Sequence, residues 1–146
     1  MKHLKIAATA ALFTLLTACG SMDCKPQKPT TGKALPGTNT VVVGISLDKS
    51  GMPQESYKDI VAYPGQKVLY AGPDQFSIVF KDKKTPNGKI ENKSIRGVVV
   101  IQIPENIFAQ KEFIEEGRKF DQLTFDYGIR TNGKELDPPL IIRRNN

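Results

Sequence analysis

From residue 40 onward the chain is cut into short β-branched and aromatic runs by glycine, proline, asparagine and aspartate, and this punctuation constrains the fold most. Val41–Leu47 reads V-V-V-G-I-S-L and is followed by the turn residues D-K-S-G-M-P. Asp59–Tyr63 ends at Pro64-Gly65, and Lys67–Tyr70 and Phe76–Phe80 flank the turn Gly72-Pro73-Asp74. Gly97–Ile103 (G-V-V-V-I-Q-I) is the most apolar run, Phe120–Ile129 alternates imperfectly, and Leu140–Arg143 follows the turn at 131–134. Runs of this length and composition, bounded by such residues, are strand signals. Seven of them in close succession predict an all-β fold, a two-sheet β-sandwich. Strand alternation assigns Val42, Ile45, Val68, Phe76, Ile78, Phe80, Val99, Ile101, Leu123, Phe125 and Ile141 to the inner faces.

One segment has a different period. Pro104-Glu105-Asn106 leads into I-F-A-Q-K-E-F-I-E-E before Gly117, which predicts a short helix near 105–116 with glycine as its stop. Its apolar residues do not share one clean face, so it reads either as a crossover covering the core or as a partner-binding element. The stretch Lys81–Lys93 reads as a polar loop.

The N-terminal region has a separate logic. Lys2 and Lys5 precede Ile6–Ala18, 13 uncharged and mostly apolar residues. As a helix that run is about 20 Å long, too short for a hydrocarbon core of about 30 Å. A basic start, a short apolar middle and small residues at its end are signal-peptide anatomy. Leu16-Thr17-Ala18-Cys19 resembles the lipobox of bacterial lipoproteins, which implies cleavage before Cys19 and lipidation of that residue. The resemblance implies a membrane anchor through acyl chains. Gly20-Ser21 after the cysteine, by similarity to Gram-negative sorting, implies the outer membrane, with the domain facing the periplasm or the cell surface. The expected organisation is a signal peptide at 1–18, a tether at 19–39 rich in Pro, Gly, Lys and Thr, and a sandwich domain at 40–146. The tether reads as flexible or partly polyproline, or as a proline segment that binds a partner.

Removing the first 18 residues leaves 19 basic side chains against 15 acidic, so the net charge falls from +6 to +4. That is too small to argue for nucleic acid, and no nucleic-acid partner is expected; it suits contact with anionic envelope polymers or lipid headgroups. The sole histidine, His3, lies in the signal segment, and Cys24 is the only cysteine after Cys19. No disulfide framework fits inside the domain; Cys24 is either an idle tether residue or an intermolecular partner.

Pro64–Phe80 (P-G-Q-K-V-L-Y-A-G-P-D-Q-F-S-I-V-F) resembles the early strand pair of cupredoxin-like domains. Tyr127-Gly128-Ile129 with Asn132–Arg143 (N-G-K-E-L-D-P-P-L-I-I-R) is similar to the closing hairpin of small bacterial members of that group. The resemblance implies a cupredoxin-like sandwich, immunoglobulin-like in general form. The chain departs from the copper-binding members, because a blue-copper site takes two imidazoles and a thiolate. Those ligands are missing from 25–146, as are the histidines of zinc sites and His-based triads. No metal and no cofactor are expected. Asp121, Asp126 and Asp137 leave a carboxylate site for a hard cation open, although strand alternation places them as exposed positions and no EF-hand loop is present.

Two further patterns bear on function. Ser46-Leu47-Asp48-Lys49 matches S-x-x-K, but that chemistry needs a helical turn, whereas Ser46 ends a strand and Lys49 enters a turn. Lys81, Lys83, Lys84, Lys89, Lys93 and Arg96 form a basic stretch with Asp82 and Glu91 as the only acids between them. It reads either as a solvated loop whose lysines protect an edge strand or as a patch for an anionic ligand. Asp137 before Pro138-Pro139 reads as a turn acceptor at the start of the final strand. The functional expectation is a non-catalytic, lipid-anchored envelope lipoprotein that binds a protein partner, with a small anionic or polymeric envelope ligand as the alternative.

Overall fold

The computed structural model describes residues 31–145. The signal segment, Cys19, Cys24 and the first part of the expected tether lie outside the described residues. The elements in chain order are β1 (Thr31–Gly32), β2 (Thr40–Leu47), β3 (Pro53–Glu55), β4 (Asp59–Ala62), β5 (Lys67–Ala71), β6 (Ser77–Phe80), β7 (Glu91–Lys93) and β8 (Val98–Gln102). A 3-10 turn at Ile107–Ala109 precedes α1 (Ile114–Phe120), and β9 (Gln122–Thr131), β10 (Lys134–Leu136) and β11 (Pro139–Arg143) complete the chain.

The strands form a two-sheet β-sandwich. The larger sheet has the order β1-β4-β11-β9-β6-β7, with β10 paired to β9; the smaller has the order β3-β2-β5-β8. Parallel pairs (β1 with β4, β4 with β11, β2 with β5) are mixed with antiparallel ones. Between the sheets, Val41, Val43, Val68, Tyr70, Val99 and Ile101 from the small sheet meet Ile60, Ile78, Phe80, Leu123, Phe125, Tyr127, Ile129, Leu140 and Ile142 from the large one. A chain of aromatic contacts runs through this layer. Tyr70–Tyr127 centroids are 5.7 Å apart, Tyr127–Phe80 6.0 Å, Phe80–Phe125 6.3 Å and Phe125–Phe113 5.4 Å. Edge-on and tilted pairs of this kind add about 0.5–1.5 kcal/mol each beyond the area they bury.

All seven expected strands are present, and the short polar strands β1, β3, β7 and β10 are additional. β7 lies inside the stretch read as a loop, and β1 lies inside the expected tether, where Gly32 is buried against the Tyr57 ring. Nine of the eleven expected core residues are buried; Val42 and Ile141 are not. Both belong to runs of consecutive apolar residues (V-V-V and L-I-I), and the neighbours Val41, Val43, Leu140 and Ile142 take the inner positions.

The helix also differs from expectation. Residues 107–109 form only a 3-10 turn, and α1 runs through Gly117 to Phe120. Gly117 is not a stop: it is a contact point, where an added Cβ would sit 2.6 Å from the Phe108 ring. Asp121, in left-handed conformation at φ 54°, ends the helix. Pro138-Pro139 stands at the beginning of β11, where a missing N–H is tolerated. Asp137, expected to accept backbone hydrogen bonds, instead pairs with the Lys81 ammonium at 2.7 Å.

Candidate functional site

The basic stretch divides into two groups. Lys81 lies between Asp137 at 2.7 Å and Glu135 at 3.5 Å, and Glu135 also takes Arg130 at 2.6 Å. The hydrogen bond to Asp137 raises the Lys81 pKa and lowers that of Asp137, so each group holds the other charged. Lys84 donates to both Glu116 oxygens, at 2.8 and 2.6 Å, and to the Thr124 carbonyl at 2.7 Å; its ammonium lies 5.0 Å from the Phe125 ring centroid. This contact fastens α1 to β9. Lys81 and Lys84 are thus engaged within the domain.

The remaining members are exposed. Lys83 sits in a left-handed turn, and Arg96 does the same at φ 53° between β7 and β8. Lys89 and Lys93 share a cleft of about 460 Å3 with Glu91, Asn92, Ile95, Val98 and Val100. This cleft opens between β7 and β8, the terminal strands of the two sheets.

Beside it lies a feature that the sequence reading did not assign. On the outer face of the small sheet, Val42 on β2, Leu69 on β5 and Val100 on β8 stand in register as one apolar row. Gly44, Ala71 and Val98 form the next row. Val42 is 47% exposed, Val100 49% and the neighbouring Ile95 78%. Lys67 is the one charged residue among the positions of β2, β5 and β8 on this face. The signal was present in the V-V-V runs at 41–43 and 98–100: strands apolar at both parities are those whose two faces are both covered.

The Ser46-x-x-Lys49 pattern falls across the end of β2 and a turn. Ser46 stands opposite Gln54, and Asp48 accepts from the Ser50 N–H at 2.8 Å, the Ser50 hydroxyl at 2.7 Å and the Met52 N–H at 2.9 Å. The Ser50 hydroxyl bond is the main cause of the lowered Asp48 pKa. Asp48 therefore organises a turn.

A polar cluster lies inside the core. Glu55, 2% exposed, accepts a 2.8 Å hydrogen bond from the Tyr127 hydroxyl, and the Tyr70 ring packs edge-on against Tyr127. Burial pushes both phenols well above their ordinary pKa, and the Glu55 carboxyl adds to each shift. Nothing in the M-P-Q-E-S sequence around Glu55 marks it as buried. Among the described residues no three His, Cys, Asp or Glu side chains are grouped to hold a metal ion. Among the same residues no helix is long and apolar enough to cross a membrane.

Comparison of the chain with known protein families and with curated proteins returned no match.

Proposed function

We propose that this chain is a non-catalytic lipoprotein of the cell envelope, anchored through Cys19, whose sandwich domain binds a partner protein on the outer face of the small sheet. The carrying observation is the Val42–Leu69–Val100 row, an in-register apolar surface beside the outer edge of β8. β8 pairs only with β5 among the named strands; on its second edge Val98 is bridged to Ile95, and the edge from Val100 onward has no strand partner among the described residues and can take an added strand. Charge selects the occupant. Lys67 lies on the face, Lys89 and Lys93 line the cleft on its β8 side with Glu91 as the one acid of that lining, and Arg96 is exposed in the turn that leads into β8. The partner is accordingly an extended, acidic segment with alternating apolar side chains, laid antiparallel or parallel along β8. The lipobox resemblance supports the anchor, and Gly20-Ser21 after the cysteine supports the outer-membrane address.

The test is selection of extended peptides on the immobilised domain. Enriched sequences should alternate apolar residues with Asp or Glu, bind more weakly as salt rises, and lose binding to Val100→Lys. Basic or featureless selections, or binding indifferent to Val100→Lys, overturn the reading. A second copy of the chain as occupant would show instead as self-association abolished by the same substitution. Membrane partition that survives Cys19→Ala would overturn the anchor.

A further inference from the structure

At the opposite sheet, three strand ends and the helix meet in a cleft of about 650 Å3, lined by Tyr63, Phe120, Asp121, Gln122, Arg143, Arg144 and Asn145. The topology assembles it. β11 runs parallel to β4 with Ile142 opposite Ala62, so Arg143 and Tyr63 emerge side by side from adjacent strands. β9 runs antiparallel to β11 and places Gln122 opposite Arg143. The left-handed turn at Asp121 brings the end of α1 onto the same rim and leaves the Phe120 ring 59% exposed.

The charges here are sorted. Arg144 donates to the Asp121 carboxylate at 2.8 Å and to the Gly117 carbonyl at 3.1 Å, and its guanidinium lies 4.5 Å from the Phe108 ring centroid. One arginine thereby satisfies both the cleft's carboxylate and a carbonyl near the helix C-terminus. Arg143 has no ion pair among the described residues, and Lys119 stands 4.9 Å over the Phe120 ring. The cleft thus offers an uncommitted planar guanidinium, two aromatic surfaces and the amides of Gln122 and Asn145, with its own acid already neutralised. The volume falls in the range of small-ligand sites, which combine apolar surface with a few polar groups that fix orientation.

We infer that this cleft binds an acidic sugar: a pyranose ring bearing a carboxylate or phosphate. The Arg143 fork takes the acid group in a charge-assisted, bidentate bond. Phe120 and Tyr63 cover the apolar face of the ring, and Gln122 and Asn145 meet its hydroxyls. The site belongs to the large sheet and is independent of the protein-binding face, so either can fail alone.

The experiment is an amide-resolved NMR titration of the domain with N-acetylmuramic acid and with glucose phosphate, using uncharged N-acetylglucosamine as the reference. Shifts should cluster at Gln122, Arg143, Arg144 and Asn145, and one or both acids should bind at least about tenfold more tightly than the reference. Which acid binds distinguishes carboxylate from phosphate as the native group. Arg143→Ala should remove that preference, whereas Val100→Lys should leave it intact. Arg143→Gln serves as a second variant with the side-chain bulk retained. No saturable shift with either acid, equal binding of the uncharged sugar, shifts centred on Lys89 and Lys93, or a preference that survives both Arg143 variants would each overturn the proposal.

Discussion

Tyr127→Phe removes one buried hydroxyl from the core and leaves the ring in place. The ring is fully buried and packs on Tyr70 and Phe80, so losing only the hydroxyl preserves those aromatic contacts. What disappears is the 2.8 Å donation to Glu55, a carboxyl that is 2% exposed and out of reach of replacement by bulk water, together with the weaker interaction of the two phenol hydroxyls of Tyr127 and Tyr70. Removing a donor from a buried acceptor costs about 1–3 kcal/mol. A domain of about 115 residues unfolds with an entropy near 0.24 kcal/mol per kelvin, so the midpoint should fall by roughly 4–12 °C. Thermal unfolding by circular dichroism, repeated in urea to obtain the free energy, measures it. A double-mutant cycle with Glu55→Leu, which removes the acceptor, should give a coupling of about 1 kcal/mol or more, since the two groups share one bond. A midpoint shift under about 2 °C, or additivity within about 0.3 kcal/mol, would refute the claim that the phenol and carboxyl stabilise each other inside the sandwich.

Ile142→Ala should cost about 2–5 kcal/mol in urea unfolding, and Ile141→Ala clearly less, because only Ile142 faces the core; equal losses would place β11 one residue out of register. Gly117→Ala would stabilise an exposed helix by nearly 1 kcal/mol, but here the new methyl meets the Phe108 ring, so a loss of about 1–3 kcal/mol is expected, and the sign of the change is the test. The Asp137 carboxyl is held below its ordinary value of 3.8 by Lys81, so its contribution is complete above that pH and fades as pH falls through the lower folded value. Asp137→Asn should therefore flatten the acid limb of the stability–pH curve, shift the neutral-pH midpoint by at most a few degrees, and create no dependence on calcium.

The strands were legible because turn chemistry separates them and because inner and outer residues differ in Phe76–Phe80 and Leu123–Ile129. Legibility failed where both parities are apolar. In V-V-V the burial of Val41 and Val43 rather than Val42 depends on which face meets the other sheet, and no local property of valine decides that. The same ambiguity hid the outer apolar row. Gly117 misled because its effect is on packing against Phe108, a contact formed across the helix rather than along it. Arg143 and Arg144 are neighbours in sequence, but Tyr63, just after β4, comes 80 residues before Arg143, and parallel pairing of β4 with β11 leaves no local trace. Lys81 and Lys84 looked like equals of Lys89 and Lys93 because their acidic partners, Asp137 and Glu116, are remote in sequence.

β11, the last of the described strands, occupies the middle of the larger sheet, with β4 on one side and β9 on the other. Until residues 139–143 have been synthesised, β4 and β9 have nothing between them, and the sheet lacks its centre. A nascent chain can therefore form local pairs such as β2 with β3 but cannot close the sandwich, since completion depends on contacts between distant parts of the sequence. Such a chain remains threadable for as long as residues 139–143 are being made or withheld. If the chain is exported as proposed, this strand order builds the delay that crossing a membrane requires into the topology.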